Sequence, residues 1–373
     1  MAKKWLVVMA MWLMGVAYGN AQEVVWSVDF DSHFANREGG DELRPDQTFL
    51  FTRLAPEIGI QLGNQRNGHT LKGGVSWMQP LNSDAADAKV SPTLYYQYRH
   101  KGWSVNVGMI PRTEMVEHAP RYLWSDSLAY RQPNIRGVLA QYQKRPERGY
   151  AQLFLDWRQQ QADFRREAFN VLISGKAYVG NVWIGGHVQY NHLAKSKLAP
   201  EGEGVNDDVT VNPMVGFDWK IAPKASLKVK AGAIINLERD RSEENGWKAP
   251  CGFIGNVQGR WKWLEAEQNV YAGGNLFPLW NKYGSELNLG DSYYCSKFYS
   301  RTDLRAHIVQ TRFVDLNASL TFHATDKITG FWQQVSCRFY IDQDLWKHRP
   351  ARNTCVAAEC CKAIFRESNE SNI

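Results

Sequence analysis

One long connection, residues 111–133, holds the side chains best suited to act on a passing solute. It mixes charges of both signs with the aromatic residues Tyr122, Trp124 and Tyr130. A loop of this kind on a β-barrel can fold inward and narrow the pore, where opposed rows of charge create a transverse field that screens solutes. The same charges would also suit a loop that is simply solvated. The candidate constriction residues are Arg112, Glu114, Glu117, Arg121, Asp126 and Arg131.

A second group of charged residues recurs at alternate positions of segments that pair apolar with polar side chains. If the polar face lines a water-filled lumen, these charges point inward. The basic ones concentrate in the middle of the chain and favour a mild preference for anions. The plainer interpretation is a polar wall satisfied by its neighbours and by water. The predicted lumen-facing residues are Lys176, Lys220, Lys228, Lys230, Arg260, Lys262, Arg338, Asp218, Glu265, Glu267 and Asp315.

Hydrolytic chemistry is the main alternative from another class, because some small outer-membrane barrels carry a nucleophile and a base at the lipid boundary. His323 follows Ser319 and Thr321 on one strand face, and His187 shares a face with an asparagine but with no serine. No further motif accompanies either histidine. We therefore predict no catalytic residues, no metal and no cofactor, and keep a lipid hydrolase as an alternative.

Paired aromatic residues suggest a third possibility, a non-conducting barrel that binds a surface glycan or a partner protein. Aromatic rings can stack on sugars, although such rings more often pack in loops or form girdles at the membrane interface. The pairs are Tyr95-Tyr96, Trp261/Trp263 and Tyr293-Tyr294.

The segments that must position these residues alternate with a period of two. In residues 314–322, Val314, Leu316 and Leu320 share one face while Asp315 and Asn317 share the other. A wall between lipid and water requires this pattern, but a soluble β-sandwich shows it too. The length of the runs, the Trp near their ends and the Lys, Asp and Asn on every polar face favour the barrel, since a sandwich core excludes such residues.

Sixteen runs follow this pattern, and we predict a single all-β domain over residues 22–341, a closed antiparallel transmembrane barrel of 14 or 16 strands. Short connections such as Lys101-Gly102 and Gly180-Asn181 belong to the periplasmic rim, and long ones to the outer rim. The runs are 23–34, 48–63, 69–79, 90–100, 102–112, 134–145, 149–159, 167–179, 181–193, 207–221, 224–238, 250–263, 264–277, 297–310, 312–325 and 327–341. The long connections are 35–47, 111–133, 194–206, 239–249 and 278–296.

The two ends of the chain differ from this domain. Residues 1–21 read as a cleavable signal peptide, with Lys3 and Lys4 before an apolar run and cleavage expected after Ala21. Residues 342–373 lose the alternation, and we expect a disordered tail or a change of reading frame near the natural stop. Cys355, Cys360 and His348 could bind zinc together with Cys361, but two adjacent cysteines suit one tetrahedral site poorly.

Composition narrows the functional classes. The net charge of +6 is scattered, and no basic tract is dense enough to indicate nucleic-acid binding. The six cysteines match no disulfide framework. A 13% aromatic and 22% charged composition suits strands with one apolar and one polar face.

Several stretches resemble a largely uncharacterised, porin-like family of outer-membrane β-barrel proteins from Bacteroidetes. The resemblance covers residues 1–341 and implies the barrel fold and an outer-membrane location, and no catalytic residues come with it. Members normally end on the last strand, whereas this chain continues past Ile341. The stretches are Met109-Ile110-Pro111-Arg112, Tyr122-Leu123-Trp124-Ser125-Asp126-Ser127-Leu128, Pro133-Asn134-Ile135-Arg136-Gly137, Leu155-Asp156-Trp157 with Arg166-Glu167, and Phe298-Tyr299-Ser300-Arg301-Thr302-Asp303-Leu304.

The sequence thus predicts an exported Gram-negative outer-membrane barrel that lets small polar solutes pass. Its expected partners are outer-membrane lipid, the solutes and the outer-membrane assembly machinery. Neither the solute nor the oligomeric state follows from the sequence.

Overall fold

A computed structural model describes residues 22–41, 43–81, 83–243 and 246–345. The predicted signal peptide, residues 1–21, and the predicted tail beyond residue 345 lie outside the described residues.

Sixteen antiparallel strands form one closed barrel in which each strand pairs with the next and β1 pairs with β16. The predicted fold is confirmed, and the strand number is the higher of the two predicted values. The strands are β1 (Gln22–Glu38), β2 (Gln47–Gly63), β3 (Gly68–Pro80), β4 (Lys89–His100), β5 (Trp103–Pro111), β6 (Asn134–Tyr142), β7 (Gly149–Gln159), β8 (Ala168–Val179), β9 (Val182–Leu193), β10 (Asn206–Ala222), β11 (Ala225–Asp240), β12 (Cys251–Trp261), β13 (Leu264–Gly273), β14 (Phe298–Gln310), β15 (Val314–Thr325) and β16 (Thr329–Asp342).

The alternation in the sequence decides which side chains face inward. On β10, Asp218 lies opposite Lys228 of β11, while its neighbours Phe217 and Trp219 are exposed on the outer surface. The outer wall is apolar and the lumen is polar, the arrangement that a barrel in a lipid bilayer requires. Exposed apolar side chains on the outer wall include Leu94, Val107, Leu153, Ile173, Ile184, Val215, Phe253 and Leu320.

Four exposed tryptophans lie near the rim that carries the short turns. Trp103, Trp219, Trp261 and Trp263 all lie next to such turns and face outward, as the aromatic girdle of a membrane interface does. Both chain ends of the barrel lie at this rim, since the strand number is even. Among the described residues, every helix is too short to cross a membrane.

The prediction that Lys262 faces the lumen is wrong. It occupies the two-residue turn between β12 and β13 with a positive φ of 55° and is exposed, so it does not line the lumen. The predicted strand runs met at residues 263 and 264, and this turn has no Gly, Pro or Asn to mark it.

Two of the long connections at the opposite rim fold into the barrel. Loop A is residues 112–133, with a 3-10 turn at Arg112–Glu114 and a helical turn at Leu128–Arg131. Loop B is residues 274–297, with helical turns at Trp280–Tyr283, Gly284–Glu286 and Ser292–Cys295. Their apolar side chains join inward-facing wall residues in one buried cluster that includes Leu123, Trp124, Leu128, Phe154, Met214, Phe277, Leu289, Tyr293 and Tyr294. The remaining 3-10 turns are Ala85–Asp87 and Pro146–Arg148.

Candidate functional site

Loop A begins with a buried ion pair to the barrel wall. The guanidinium of Arg112 donates to a carboxylate oxygen of Asp156 on β7 at 2.5 Å and also donates to the carbonyl of Gln132 at 2.7 Å. The same guanidinium lies 4.3 Å from the ring centre of Trp124. Arg112 thereby ties the start of the loop to its end and to the wall.

Glu114 attaches the next part of loop A to β4. Its carboxylate accepts from the Gln97 amide at 3.0 Å, the Arg99 guanidinium at 3.3 Å and the Tyr95 hydroxyl at 3.3 Å. The Gln141 amide donates to the Glu114 carbonyl at 2.9 Å. Glu114 therefore crosses from the end of β5 to the lumen face of β4.

Glu117 continues the path toward β8. Its carboxylate accepts from the Lys176 ammonium at 2.5 Å, and its carbonyl accepts from the Gln152 amide at 2.9 Å. Burial alone would raise the pKa of Glu117, but the ammonium groups of Lys176 and Lys230 outweigh it and hold the pKa at about 2. Glu117 is therefore ionised at neutral pH.

The far side of loop A reaches β10 and β14. The Tyr122 hydroxyl donates to the Asn212 side chain, and Arg121 donates to Asp126 at 3.0 Å. Asp126 also accepts from Arg301 of β14 at 2.8 Å. Burial works to raise the pKa of Asp126, and the two guanidinium groups hold it at about 2. Loop A thus spans the lumen from β5 to β14.

Loop B lies against loop A and closes the mouth from the other side. The backbone amide of Ser125 donates to the Leu289 carbonyl at 2.7 Å, and that of Asp291 donates to the Arg121 carbonyl at 2.9 Å. Tyr293 stacks on His323, with ring centres 4.4 Å apart. Sequence reasoning predicted residues 278–296 only as a long outer connection, so the inward fold of loop B was missed.

A cavity lies beside and beneath loop A and brings predicted and unpredicted charges together. Asp29 and Arg53 form an ion pair of 2.7 Å on the β1–β2 wall, and Lys72 lies 3.8 Å from Glu57. Arg121, Glu117 and Lys230 line the same cavity. The acidic, basic and histidine residues of its lining are Asp29, Arg53, Glu57, Lys72, Arg112, Glu114, Glu117, His118, Arg121, Asp126, His187, Lys230 and Glu267.

The predicted constriction residues behave alike with one exception. Five of the six make the inward contacts described above, but Arg131 is exposed at the end of a helical turn. Its carbonyl accepts from Lys89. Arg131 does not belong to the inward charge network because the chain has already turned back toward the outer rim at this point.

The predicted lumen-facing residues, apart from Lys262, lie on the inward face of their strands. Lys176, Lys228 and Lys230 lie near Glu117, and Arg338 donates to Asp29 at 2.7 Å. Others lie closer to the rim of short turns, where Lys220 is exposed and Arg260 donates to Gln310. Asp218, Glu265, Glu267 and Asp315 share the inward face with Lys228, Arg305, Asn256 and Arg338 respectively.

The two histidines considered for hydrolysis do not face lipid. His187 contacts Tyr122 of loop A, and His323 is buried inside the barrel, where its ring bonds to the Tyr299 hydroxyl at 2.8 Å. Tyr95, Tyr293 and Tyr294, which were considered for sugar stacking, are likewise buried in the lumen.

A polar cluster on the outer wall was missed by sequence reasoning. Asp207 of β10 accepts from Tyr190 at 2.9 Å, Arg239 at 2.9 Å and Arg241 at 2.8 Å, and His192 lies 2.9 Å from it. All these side chains occupy outward positions near the outer rim. No single segment reveals the cluster, because three strands and a loop contribute to it.

Acid should loosen loop A. The pKa values of Glu117 and Asp126 are both lowered to about 2, from 4.5 and 3.8. A group whose pKa is lower in the folded than in the unfolded protein stabilises the folded state at pH values above its unfolded pKa. That stabilisation is lost as the pH falls toward the folded pKa. We therefore expect docking to weaken between about pH 4.5 and pH 2. Desolvation lowers the pKa of His118 from 6.5 to about 4, so the docking of loop A should already weaken as the pH falls below 6.5.

The degree of loop docking can be followed by pepsin cleavage within loop A at a series of acid pH values. Glu117→Gln should flatten the carboxylate part of the curve. Cleavage that is constant from pH 5 to pH 2 would contradict the role of these two ion pairs.

An apolar outside, a polar inside and a charged loop folded into the lumen are the architecture of a porin-like outer-membrane barrel. The chain belongs to the lipid A 3'-O-deacylase-type family, whose model matches residues 17–301. The resemblance to porin-like barrels is confirmed for the class, and the assignment to Bacteroidetes stays a prediction.

Solved structures with the same fold are porin-type barrels of Pseudomonas aeruginosa. OpdL is 10% identical with a TM-score of 0.53, covering 86% of this chain and 99% of OpdL. OpdK with vanillate is 9% identical with a TM-score of 0.51, covering 86% and 99%. OccK2 in complex with glucuronate is 8% identical with a TM-score of 0.50, covering 86% and 98%. A search of the curated proteins found no match.

Proposed function

We propose that the protein allows passive passage of small polar solutes through the outer membrane, with loop A as the constriction. The observation that carries this proposal is loop A itself, whose charged side chains cross the lumen and line a cavity with charges of both signs. Opposed charges at a narrow point orient and select polar solutes. The related fold of OpdK with vanillate and OccK2 with glucuronate supports small organic anions as one class of solute.

Conductance of the refolded protein in a planar bilayer tests the proposal. Steady single-channel steps are expected. A tight seal under a wide range of voltages would count against a pore and favour the non-conducting alternative, in which the barrel binds a surface glycan or a partner protein. The buried apolar cluster formed by loops A and B favours that alternative, since it fills part of the lumen.

Charge reversal in the lumen should change ion selectivity. Lys228→Glu and Lys230→Glu place negative charge beside the cavity and should shift the reversal potential in a salt gradient toward cations, severalfold in permeability ratio. Lys262→Glu is the matched control, because it makes the same change of charge on an exposed turn. Equal shifts for all three variants would argue against a lumen position for the first two.

We propose that residues 1–21 direct export and are removed, and that the outer-membrane assembly machinery inserts the barrel. Mass spectrometry of the native protein tests both ends of the chain. A mature form beginning at Gln22 supports the signal peptide. A form ending near Ile341 supports a change of reading frame.

Our first proposal gives the protein no catalytic role, but the family description makes a lipid hydrolase the second candidate. The observation in its favour is the outer-wall pair of His192 and Asp207, 2.9 Å apart, where a base would meet the acyl chains of the outer leaflet. Loss of acyl chains from lipid A after co-incubation would be read by mass spectrometry. His192→Ala should abolish it and His187→Ala, in the lumen, should not. If the wild-type protein removes no acyl chains, this candidate function is ruled out.

A further inference from the structure

A polar patch lies on the lipid-facing wall of the barrel, outside the lumen. Gln268 of β13 donates through its side-chain amide to the Ser300 hydroxyl at 2.8 Å, and its Oε1 accepts from the Thr302 hydroxyl at 2.5 Å. Ser300 and Thr302 point outward, because Arg301 between them is buried inside the barrel. Gln268 points outward as well, as the register partner of Thr302. We call Gln268, Ser300 and Thr302 the amide patch.

The strand register places the amide patch in the middle of the membrane band. Gln268 and Thr302 are partners in a row that rises from Phe217, near the rim of short turns, to Glu38 at the outer rim. Strands of such barrels are about 4.8 Å apart and tilt by about 40°, so each step along the row rises about 3 Å in an apolar band about 25 Å tall. Gln268 therefore lies about 9 Å above Phe217 and about 12 Å below Glu38. The row is Phe217, Val229, Val257, Gln268, Thr302, Phe322, Phe331 and Glu38.

Lipid does not favour an amide at this depth. Near the middle of other strands, the residues that face outward are apolar, as are Val107, Leu153 and Ile173. Acyl chains offer no hydrogen bonds, so polar side chains within a membrane are costly and usually face protein. The bonds inside the patch leave the Ser300 hydroxyl with a proton to donate and the Thr302 hydroxyl with lone pairs that can accept. The patch can therefore bond to a neighbour in the membrane.

We propose that the amide patch is the centre of an interface between two copies of this chain, side by side in the outer membrane. Copies inserted in the same orientation carry the patch at the same depth, and a two-fold axis along the membrane normal brings the two patches face to face. Each patch then offers a donor and an acceptor to the other, which is the self-complementary contact of a two-fold dimer. The patch holds no charge that would repel its copy. A different membrane protein would have to carry matching polar groups at this same depth.

The surroundings of the patch allow two walls to approach closely. Ala266 lies two residues before Gln268 on β13, and Ala324 of β15 is the register partner of Ser300. Interfaces within membranes are enriched in such small residues, because they let the backbones come close. The exposed side chains of Leu304 and Phe322 border the patch and would be covered with it. The interface is separate from the cavity beside loop A, so it goes beyond the proposed passage of solutes and does not depend on it.

Sedimentation equilibrium of the refolded full-length protein in detergent tests the interface. We expect the mass of two chains for the wild type, and about tenfold weaker association for the double variant Gln268→Leu/Thr302→Val. Because apolar side chains suit the lipid-facing wall, this variant should fold as well as the wild type, which heat-modified gel mobility checks. The matched control is Gln258→Leu, which removes an inward-facing amide from the adjacent strand β12 and should associate as the wild type does.

Cysteine cross-linking in native outer membranes gives a second measurement. Ser300→Cys should form a cross-linked dimer on oxidation, whereas Val107→Cys, exposed on the opposite wall at β5, should not. The wild-type chain, oxidised alongside, gives the background from its own cysteines. A mass of one chain, or of three, overturns the proposal. So does a dimer that Gln268→Leu/Thr302→Val leaves unchanged, or equal cross-linking of the two cysteine variants.

Discussion

Arg301→Ala should detach loop A from β14 and widen the pore. Arg301 is fully buried and donates to Asp126 of loop A at 2.8 Å and to Asp303 at 3.0 Å. Its removal breaks a buried pair and leaves both carboxylates to Arg121, which lies 3.0 Å from Asp126 and 3.9 Å from Asp303; breaking a buried pair by removing one partner costs about 3–5 kcal/mol. Because moving the loop into water is the simplest way to relieve that cost, we expect a severalfold rise in single-channel conductance.

The matched control is Arg260→Ala, which removes another lumen arginine that donates to Gln310 and touches neither loop. The double variant Arg301→Ala/Asp126→Ala should recover part of the lost stability, since it removes one of the two buried carboxylates that Arg301 had contacted. Heat-modified gel mobility reports whether the barrel itself still folds. Wild-type conductance in a folded Arg301→Ala variant would show that this ion pair does not hold the loop.

Gly290→Val should separate loops A and B. A Cβ at Gly290 would lie 2.3 Å from the Tyr122 carbonyl oxygen and 2.6 Å from the Phe277 ring, so one loop must move. The carbonyl belongs to loop A and cannot rotate away as a flexible side chain can. Overpacking of this kind costs about 1–3 kcal/mol. We expect trypsin to cleave loop B several times faster than in the wild type.

Gly259→Val serves as the control, because a Cβ there meets no atom within 4 Å. It should leave both the cleavage rate and the unfolding midpoint near wild type. If trypsin cleaves Gly290→Val at the wild-type rate, the close contact between the two loops is not needed to keep them docked.

The strands were predictable from the sequence because lipid and water impose opposite demands on successive residues. The run predicted at 224–238, for example, contains almost all of β11, Ala225–Asp240. The inward fold of loop A could be anticipated from its mixed charges, but the partners Asp156, Lys176 and Arg301 could not. They come from three strands whose register is set by pairing across the barrel.

Loop B and the Asp207 cluster escaped prediction for related physical reasons. Loop B has no periodic pattern, and its buried side chains, such as Leu289 and Tyr293, resemble those of any packed loop. Asp207 and Asp208 are neighbours in sequence, yet one faces the outside and the other the lumen. To tell them apart, one must know which alternate residues of β10 face the lumen, because a register shift of one residue would exchange the two environments.

The seam between β1 and β16 dictates the order in which the molecule can be made. Asp29 and Arg338 bond across it although 309 positions separate them in the chain. No other strand can close the wall in their place, so the cylinder stays open until the final strand has been delivered. Until then the free edges of both strands expose unpaired backbone groups that invite aggregation. Because the chain is synthesised from its N-terminus, β1 can pair with β16 only after all sixteen strands have been made.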